Sequence, residues 1–520
     1  GNGQHAEGEN THASGSFSHA EGSNTISTGK WSHAEGFGTI TSAGGQYSHA
    51  EGSGSRTDAF FSHAEGKDTL TQGQASHAEG QETETGYAAA YSHAEGFKSR
   101  TIGGHSHAEG NETRAVGSYS HAEGRKTDSI GNSSHAEGND TVSRGTYSHA
   151  EGSQTQADGD SSHAEGSLTV AKGNYSHAEG SQTSASANYS HTEGYETLTE
   201  GDYSHAEGYA SSASGIYSHA EGTFTKAKGQ SSHTEGFQTI AVGEFSHAEG
   251  NVTSASGNYS HAEGFQTNAI GDYSHTEGTQ TSASGDYSHA EGNLTLASGE
   301  GAHTEGYLTS ASGDYAHSEG NTTLAIGSYS HAEGQQTTAS GNYSHAEGYF
   351  TEAKNSWSHA EGYHNTTSGD YSHAEGRQNT IDNSFGSHIE GFKNKITGFG
   401  SFSGFYSHAE GQENLIINSR NSHAEGENTE ITDGSANSHT EGYQTTASGF
   451  ANHAEGFKTQ ATGNTGSHAE GYQTLASVNF AHAEGSETEA TSQFAHSEGL
   501  KTKARGIGSH AEGRLSIVHP

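Results

Sequence analysis

Apolar and polar residues alternate along this chain in a short pattern that returns every fourteen residues. One complete copy, at 246–259, reads SHAEGNVTSASGNY. Fourteen residues cannot hold two helices and their turns, but they can hold two short strands and two tight corners. We therefore predict strands at 246–249 and 253–256. Gly250 and Gly257 are expected at the corners, where a positive φ or a close approach of the backbone favours glycine.

The two faces of each predicted strand differ in character, because successive side chains point to opposite sides. Ser246 and Ala248 share one face, whereas His247 and Glu249 share the other. The Ser, Ala and Thr positions stay small along the chain. The residue between His and Glu is Ala in 28 copies, Thr in five, Ser in two and Ile once, at Ile389. Small residues facing each other predict a thin, closely packed interior.

The motif His-x-Glu-Gly occurs 36 times, first at 5–8 and last at 510–513, and no copy has lost its His, Glu or Gly. Of the 35 intervals between successive copies, 28 are fourteen residues long. A period this short and this regular predicts one solenoid coil per repeat. The expected fold is therefore all-β, a parallel β-roll solenoid of 36 coils.

The outward His and Glu are constant, although other outward positions change freely from coil to coil. Gln154 and Gln156 occupy such positions in one coil, and Leu168 and Val170 occupy them in the next. An outward face that never changes is expected to meet the same partner at every level. The simplest such partner is another copy of the same face around a symmetry axis, which predicts a parallel homo-oligomer.

The repeat also resembles the head repeat of trimeric autotransporter adhesins, the YadA-like head, whose pattern is Ser-Val-Ala-Ile-Gly-x-x-Ser-x-Ala-x-Gly. Six positions of one copy match it, with Thr in place of the second Ser: Ser246, Ala248, Gly250, Thr253, Ala255 and Gly257. The resemblance covers nearly the whole chain and implies a left-handed parallel β-roll assembled as a homotrimer. It fails at His247 and Glu249, where the adhesins have apolar residues. Runs of Ser-His-Ala-Glu-Gly are also similar to those in fibre proteins of Gram-positive bacteria and their phages.

Composition changes this picture little. Only 27% of residues are hydrophobic and the formal charge is −41, values that without the repeat would be typical of disorder. The acidity argues against a nucleic-acid partner, and no apolar stretch approaches the roughly 18 residues of a membrane span. The chain has no Cys and no Met. We expect an extracellular, processed product that does not insert into membranes.

Changes in the repeat interval divide the chain into four parts. We predict a regular roll at 1–373, an irregular roll with corner insertions at 374–438, a regular roll at 439–513 and a tail at 514–520. The longest insertion, at 392–406, carries four phenylalanines: Phe392, Phe399, Phe402 and Phe405. It is interpreted either as a corner loop against a neighbouring subunit or as a recognition loop.

An aromatic residue often stands two positions before the His, as at Tyr259 and Trp357. These residues are expected to stack along one corner of the roll. Packing between subunits is one interpretation of this corner. Stacking against sugars is the other, which makes a host-surface or glycan receptor a candidate partner.

The His and Glu positions do not form a known catalytic site. Neighbours in a strand face opposite ways, so Ser246 cannot be activated by His247, and metalloprotease, RTX and EF-hand motifs are missing. We predict no enzymatic activity and no required cofactor. In a trimer, imidazole and carboxylate would form charge-assisted hydrogen bonds, with the pKa of the imidazole raised.

Divalent metal ions on the trimer axis are the alternative role for these residues. Representative ligands are His247, Glu249, His261, Glu263, His275 and Glu277. The predicted function is a structural or adhesive extracellular fibre, a rigid trimeric surface filament whose copies could also join head to tail. A phage tail-fibre shaft and a metal-binding fibre are the alternatives.

Overall fold

Every repeat forms one coil with two strands. The computed structural model of the chain describes residues 2–398 and 406–520. Odd-numbered strands form sheet A: each begins at the His of a copy and spans five residues, from β1 (His5–Glu9) to β71 (His510–Arg514). Even-numbered strands form sheet B and begin seven residues after that His. They span two residues, as in β36 (Ser254–Ala255), except for three that span three: β54 (Thr380–Asp382), β56 (Lys395–Thr397) and β58 (Leu415–Ile417).

Strands of successive coils pair in parallel and in register. Between β47 (His331–Gln335) and β49 (His345–Tyr349), His331 lies opposite His345, and each Glu and Gly lies opposite its equivalent. The chain is therefore a parallel β-solenoid of 36 coils, as the repeat predicts.

It divides into two compact units, Gly1–Tyr259 and Ser260–Pro520. The described residues contain no helix that could span a membrane.

The interior holds the small residues that the alternation predicts. In the coil at 246–259, Ala248 and Ala255 are 0% exposed, and Ser246 and Thr253 are 1% exposed. The His and Glu of the same coil are partly exposed on the other face of sheet A. The predicted separation of the two faces is confirmed.

The corners differ from the prediction. Gly250 lies inside β35 (His247–Asn251), with φ of 110°. In the preceding coil, a Cβ on Gly236 would lie 2.1 Å from the carbonyl oxygen of Gly250, so close contact between strands requires this glycine. Gly257 lies at the bend that begins the second corner, as predicted. The left-handed positions of the two corners are nevertheless non-glycine residues: Val252 with φ of 59° and Tyr259 with φ of 57°. Each is held by a 2.8 Å hydrogen bond from its backbone N–H to the previous coil.

The irregular part at 374–438 buries larger side chains than the rest of the chain, contrary to the prediction of small residues throughout. Five isoleucines are fully buried there: Ile381, Ile389, Ile396, Ile416 and Ile431. The position that is usually Thr becomes a buried Asn in four successive coils: Asn365, Asn379, Asn394 and Asn414. We call these four residues the asparagine ladder.

Each member of the asparagine ladder bonds to the neighbouring coils. The Nδ2 atom of Asn394 donates to the carbonyl oxygens of Glu390 at 2.6 Å and Gly411 at 2.9 Å. Its Oδ1 atom accepts the backbone N–H of Asn414 at 2.9 Å. In most regular coils the equivalent Thr side chain, such as Thr337, has a buried hydroxyl without a hydrogen-bond partner among the described residues.

Candidate functional site: the His–Glu ladder

The constant His and Glu residues form two columns on the outward face of sheet A, and we call the His and Glu of all 36 copies the His–Glu ladder. Strand alternation places both residues opposite the buried Ala between them. The side chains of His247 and Glu249 are 34% and 43% exposed. Each coil contributes one imidazole and one carboxylate to the same face.

The imidazoles stack along each unit. Ring centroids lie 4.7 Å apart between His331 and His345, and 4.6 Å apart between His345 and His359, with the rings nearly parallel. The predicted ligands His261 and His275 stack at 5.0 Å. Glu263 is partly exposed and Glu277 is exposed, both on the same face. Within each unit the predicted representatives therefore share the outward face of sheet A: His247 and Glu249 in the first unit, and His261, Glu263, His275 and Glu277 in the second.

Within one chain, His and Glu lie at ion-pair rather than hydrogen-bond distance. The Nε2 atom of His331 is 3.8 Å from Oε2 of Glu333, and the His359–Glu361 pair has the same separation. These distances exceed those of N–H···O hydrogen bonds. Both Nε2 atoms are buried, with no hydrogen-bond partner among the described residues. The hydrogen bonds predicted for the ladder are not formed inside these coils.

Burial lowers the pKa of many ladder histidines, such as His33, His331 and His359. For His331, desolvation is the largest cause, and the neighbouring imidazole of His345 lowers its pKa further. The carboxylates of Glu333, Glu319 and Glu347 raise it by less. The same causes lower the pKa of His359 and His468 to about 4. The predicted rise in pKa is wrong for these residues, because the cost of burying a charged ring outweighs its attraction to the carboxylates.

Four of the five coils with Thr between His and Glu interrupt the backbone pairing of sheet A, whereas the coil of Thr440 pairs fully. Strands β31 (His219–Thr223) and β33 (His233–Phe237) pair at their His residues but not at their Glu and Gly residues. Glu235, beside Thr234, is exposed, whereas most ladder glutamates are partly buried. Thr234 is completely buried. Its side chain is larger than Ala, and the missing Glu and Gly pairs directly follow it in the strand.

The corner aromatic residues stack on one another as predicted. Tyr329 lies between Tyr315 and Tyr343, with ring centroids 5.2 and 4.9 Å away. The column continues through Trp357 at 5.3 Å. Each of the three tyrosines is 50% exposed. Because neighbouring rings cover the ring faces, the column presents ring edges and hydroxyl groups to its surroundings.

Only part of the predicted recognition loop can be described. Phe392 ends β55 (His388–Phe392), whereas Phe399, Phe402 and Phe405 lie outside the described residues. The guanidinium of Arg377 lies 5.5 Å from the Phe392 ring and 5.2 Å from the Tyr363 ring. Sequence reasoning missed this cluster, although the three residues occupy equivalent positions in successive coils.

The ladder also brings possible metal ligands together. One ligand atom each from His19, Glu21 and His33 lies within 4.8 Å of the others, and the same arrangement recurs in many coils. Imidazole nitrogen and carboxylate oxygen are ligands for borderline transition metals.

Comparison with known proteins gives no match to a protein-family model or to a curated protein.

Proposed function

We propose that this chain is a non-enzymatic structural fibre outside the cell, in which the His–Glu ladders of three parallel copies meet around one axis. The observation that supports this proposal is the constant, half-exposed ladder face. A solvated face would tolerate changes, as the outward positions of sheet B do, where Ser310 and Leu324 occupy equivalent sites in successive coils.

The electrostatics of a single chain support the need for a partner. Ladder carboxylates repeat at the strand spacing of roughly 4.8 Å, and neutral imidazoles do not cancel their charge. The side chain of His331 is 38% exposed and that of Glu333 is 45% exposed, so a second copy can reach both residues. It can supply the missing interaction, with exposed imidazole N–H groups of one copy donating to carboxylates of the next.

A fibre of this kind serves as a spacer that carries other domains away from a surface. The resemblance of the repeat to adhesin heads supports an adhesive surface filament. Its similarity to fibre proteins of Gram-positive bacteria and their phages supports a tail-fibre shaft as the second candidate. Both candidates use the same trimeric assembly.

Single cysteines test the assembly directly, because the chain has no native Cys. Glu347→Cys places a thiol on the ladder, and Thr338→Cys places one on sheet B, in β48 (Thr338–Ala339). In a parallel homotrimer, equivalent residues meet at the same level. Mild oxidation should therefore link two copies through Glu347→Cys and leave Thr338→Cys unlinked.

The mass of the native chain in solution provides the second measurement. Light scattering after size-exclusion chromatography should give three times the mass of one chain at neutral pH. A monodisperse monomer would contradict the proposed assembly. Efficient linkage through Thr338→Cys alone would show that copies associate through sheet B instead.

A further inference from the structure

We propose that the His–Glu ladder binds divalent transition-metal ions of the Zn²⁺ type inside a single chain. Each ion is held by the Nε2 atoms of two stacked imidazoles and by the carboxylate between them. The groups His19–Glu21–His33 and His49–Glu51–His63 are two examples. This site does not depend on the association of copies, because all three ligands come from two successive coils of one chain.

The distance between imidazole and carboxylate supports this site. Nε2 and Oε2 are 3.6 Å apart in the His317–Glu319 pair and 3.8 Å apart in the His331–Glu333 pair. These gaps are too long for a hydrogen bond. They are also shorter than the roughly 4.6 Å that separates two partners of a bridging water, given hydrogen bonds of about 2.8 Å at a tetrahedral angle. Metal bonds of roughly 2.0–2.2 Å place two ligand atoms about 3.3–3.6 Å apart on a tetrahedral ion.

The second imidazole reaches the ion by turning its ring. Neighbouring rings are mostly parallel, but those of His303 and His317 are tilted by 44°, with their centroids still 4.7 Å apart. The ladder therefore accommodates ring rotation without a change in coil spacing. A rotation of this kind turns the Nε2 atom of one imidazole toward the carboxylate of the neighbouring coil.

The hydrogen-bonding state of Nε2 is an independent observation in favour of a ligand. The Nε2 atoms of His33, His49 and His63 are buried, with no hydrogen-bond partner among the described residues. Buried polar atoms without partners are rare and costly in folded proteins. A metal ion provides the missing partner for such a nitrogen. Metal binding requires the neutral form of the imidazole.

Charge balance sets the expected number of ions. If each ion uses two imidazoles, the 36 ladder histidines hold about 18 ions per chain. Eighteen divalent ions carry as much positive charge as the 36 ladder glutamates carry negative charge, so the formal charge would change from −41 to about −5. The remaining coordination positions face outward, toward water or a second copy.

Zinc binding by the whole chain tests the site. After treatment with EDTA and dialysis, calorimetric titration with Zn²⁺ and metal analysis should show saturation at about 18 ions per chain, half the number of copies. Changing every ladder glutamate from Glu263 to Glu512 into Gln should lower this number by half. His105 and His364 lie outside the ladder, so H105Q/H364Q is the matched control and should bind as many ions as the native chain.

X-ray absorption of the zinc-loaded native chain tests the ligands without any substitution. A first shell of nitrogen and oxygen with scattering from two imidazoles per ion is expected. An oxygen-only shell, no saturable binding, or an unchanged ion count in the folded Gln variant would overturn the proposal. Light scattering on the same samples separates this result from the assembly, since a trimer without zinc would refute only the metal site.

Discussion

The Nε2 atom of His331 lies 3.8 Å from Oε2 of Glu333, while the ring of His331 stacks 4.7 Å from that of His345. Each imidazole of the ladder is therefore close to a carboxylate and also to two other imidazoles. Protonation of one ring would gain attraction to Glu333 but would place positive charge beside its stacked neighbours in a partly dry environment. The lowered pKa of His331 shows that the second effect is the larger one.

Acid is expected to destabilise the metal-free fold. The ordinary histidine pKa of 6.5 is lowered in the folded chain, to about 4 at His359 and His468. The unfolded chain therefore binds protons first as pH falls. The contribution of the neutral ladder histidines to the free energy of unfolding should be complete above pH 6.5. It should decrease as the pH falls from about 6.5 to 4. Melting temperatures measured in EDTA at several pH values will show this loss.

Salt provides the control for the pH experiment. At 0.5 M NaCl, repulsion between exposed carboxylates is screened, whereas the burial of the imidazoles is unchanged. The loss of stability in acid should therefore persist in high salt. A melting temperature that rises from pH 7 to pH 5, or that falls from pH 7 to pH 9, would show that protonated His–Glu pairs dominate instead.

Gly236→Ala should severely destabilise its coil. Gly236 has φ of 106°, and a Cβ there would lie 2.1 Å from the carbonyl oxygen of Gly250. We expect a loss of at least about 3 kcal/mol in the local free energy of unfolding, because strain and steric overlap add together. Hydrogen–deuterium exchange of the flanking strands measures it.

Gly434→Ala is the matched control for this substitution. Gly434 also has a positive φ, of 75°, but a Cβ added there would have no atom within 4 Å. Only the backbone strain of about 1–2 kcal/mol should appear there. If the two substitutions had equal effects, the close approach of the sheet A strands would contribute nothing to the destabilisation by Gly236→Ala.

Asn394→Ala should open the irregular part of the solenoid. The side chain makes two hydrogen bonds through Nδ2 and one through Oδ1, all to neighbouring backbone groups. Their loss should cost about 3 kcal/mol, at roughly 1 kcal/mol each. Hydrogen–deuterium exchange of the backbone amides should become faster in β54, β56 and β58. Asn139→Ala, at an exposed site, should change stability by less than about 0.5 kcal/mol, and a similar effect at both sites would contradict a role for the asparagine ladder.

Thr234→Ala should stabilise its coil. The Thr234 hydroxyl is buried, with no hydrogen-bond partner among the described residues, and the Glu and Gly pairing with the previous coil is missing there. Removing the hydroxyl and restoring that pairing should gain about 1 kcal/mol. The reverse change, Ala332→Thr, should cost about 1–3 kcal/mol through overpacking. Local hydrogen exchange measures both, and a destabilised Thr234→Ala variant would contradict the interpretation.

Several features of this protein follow from the sequence alone. Strict alternation around His247 and Glu249 separates a buried face from an outward face, because strand geometry leaves a side chain only two directions. The fourteen-residue period fixes the in-register pairing of equivalent residues, since any slip would place His or Glu in an interior built for Ala. The fold class and the location of the ladder were predictable for these reasons.

Other features depend on contacts between coils that sequence spacing does not reveal. Gly250 lies in a strand, and Val252 and Tyr259 form the corners, because hydrogen bonds to the previous coil hold them at positive φ. The protonation of the ladder also required the structure. Sequence reasoning weighs an imidazole against its nearest carboxylate, but desolvation and the stacked rings of adjacent coils decide the balance, and both arise only when the solenoid closes.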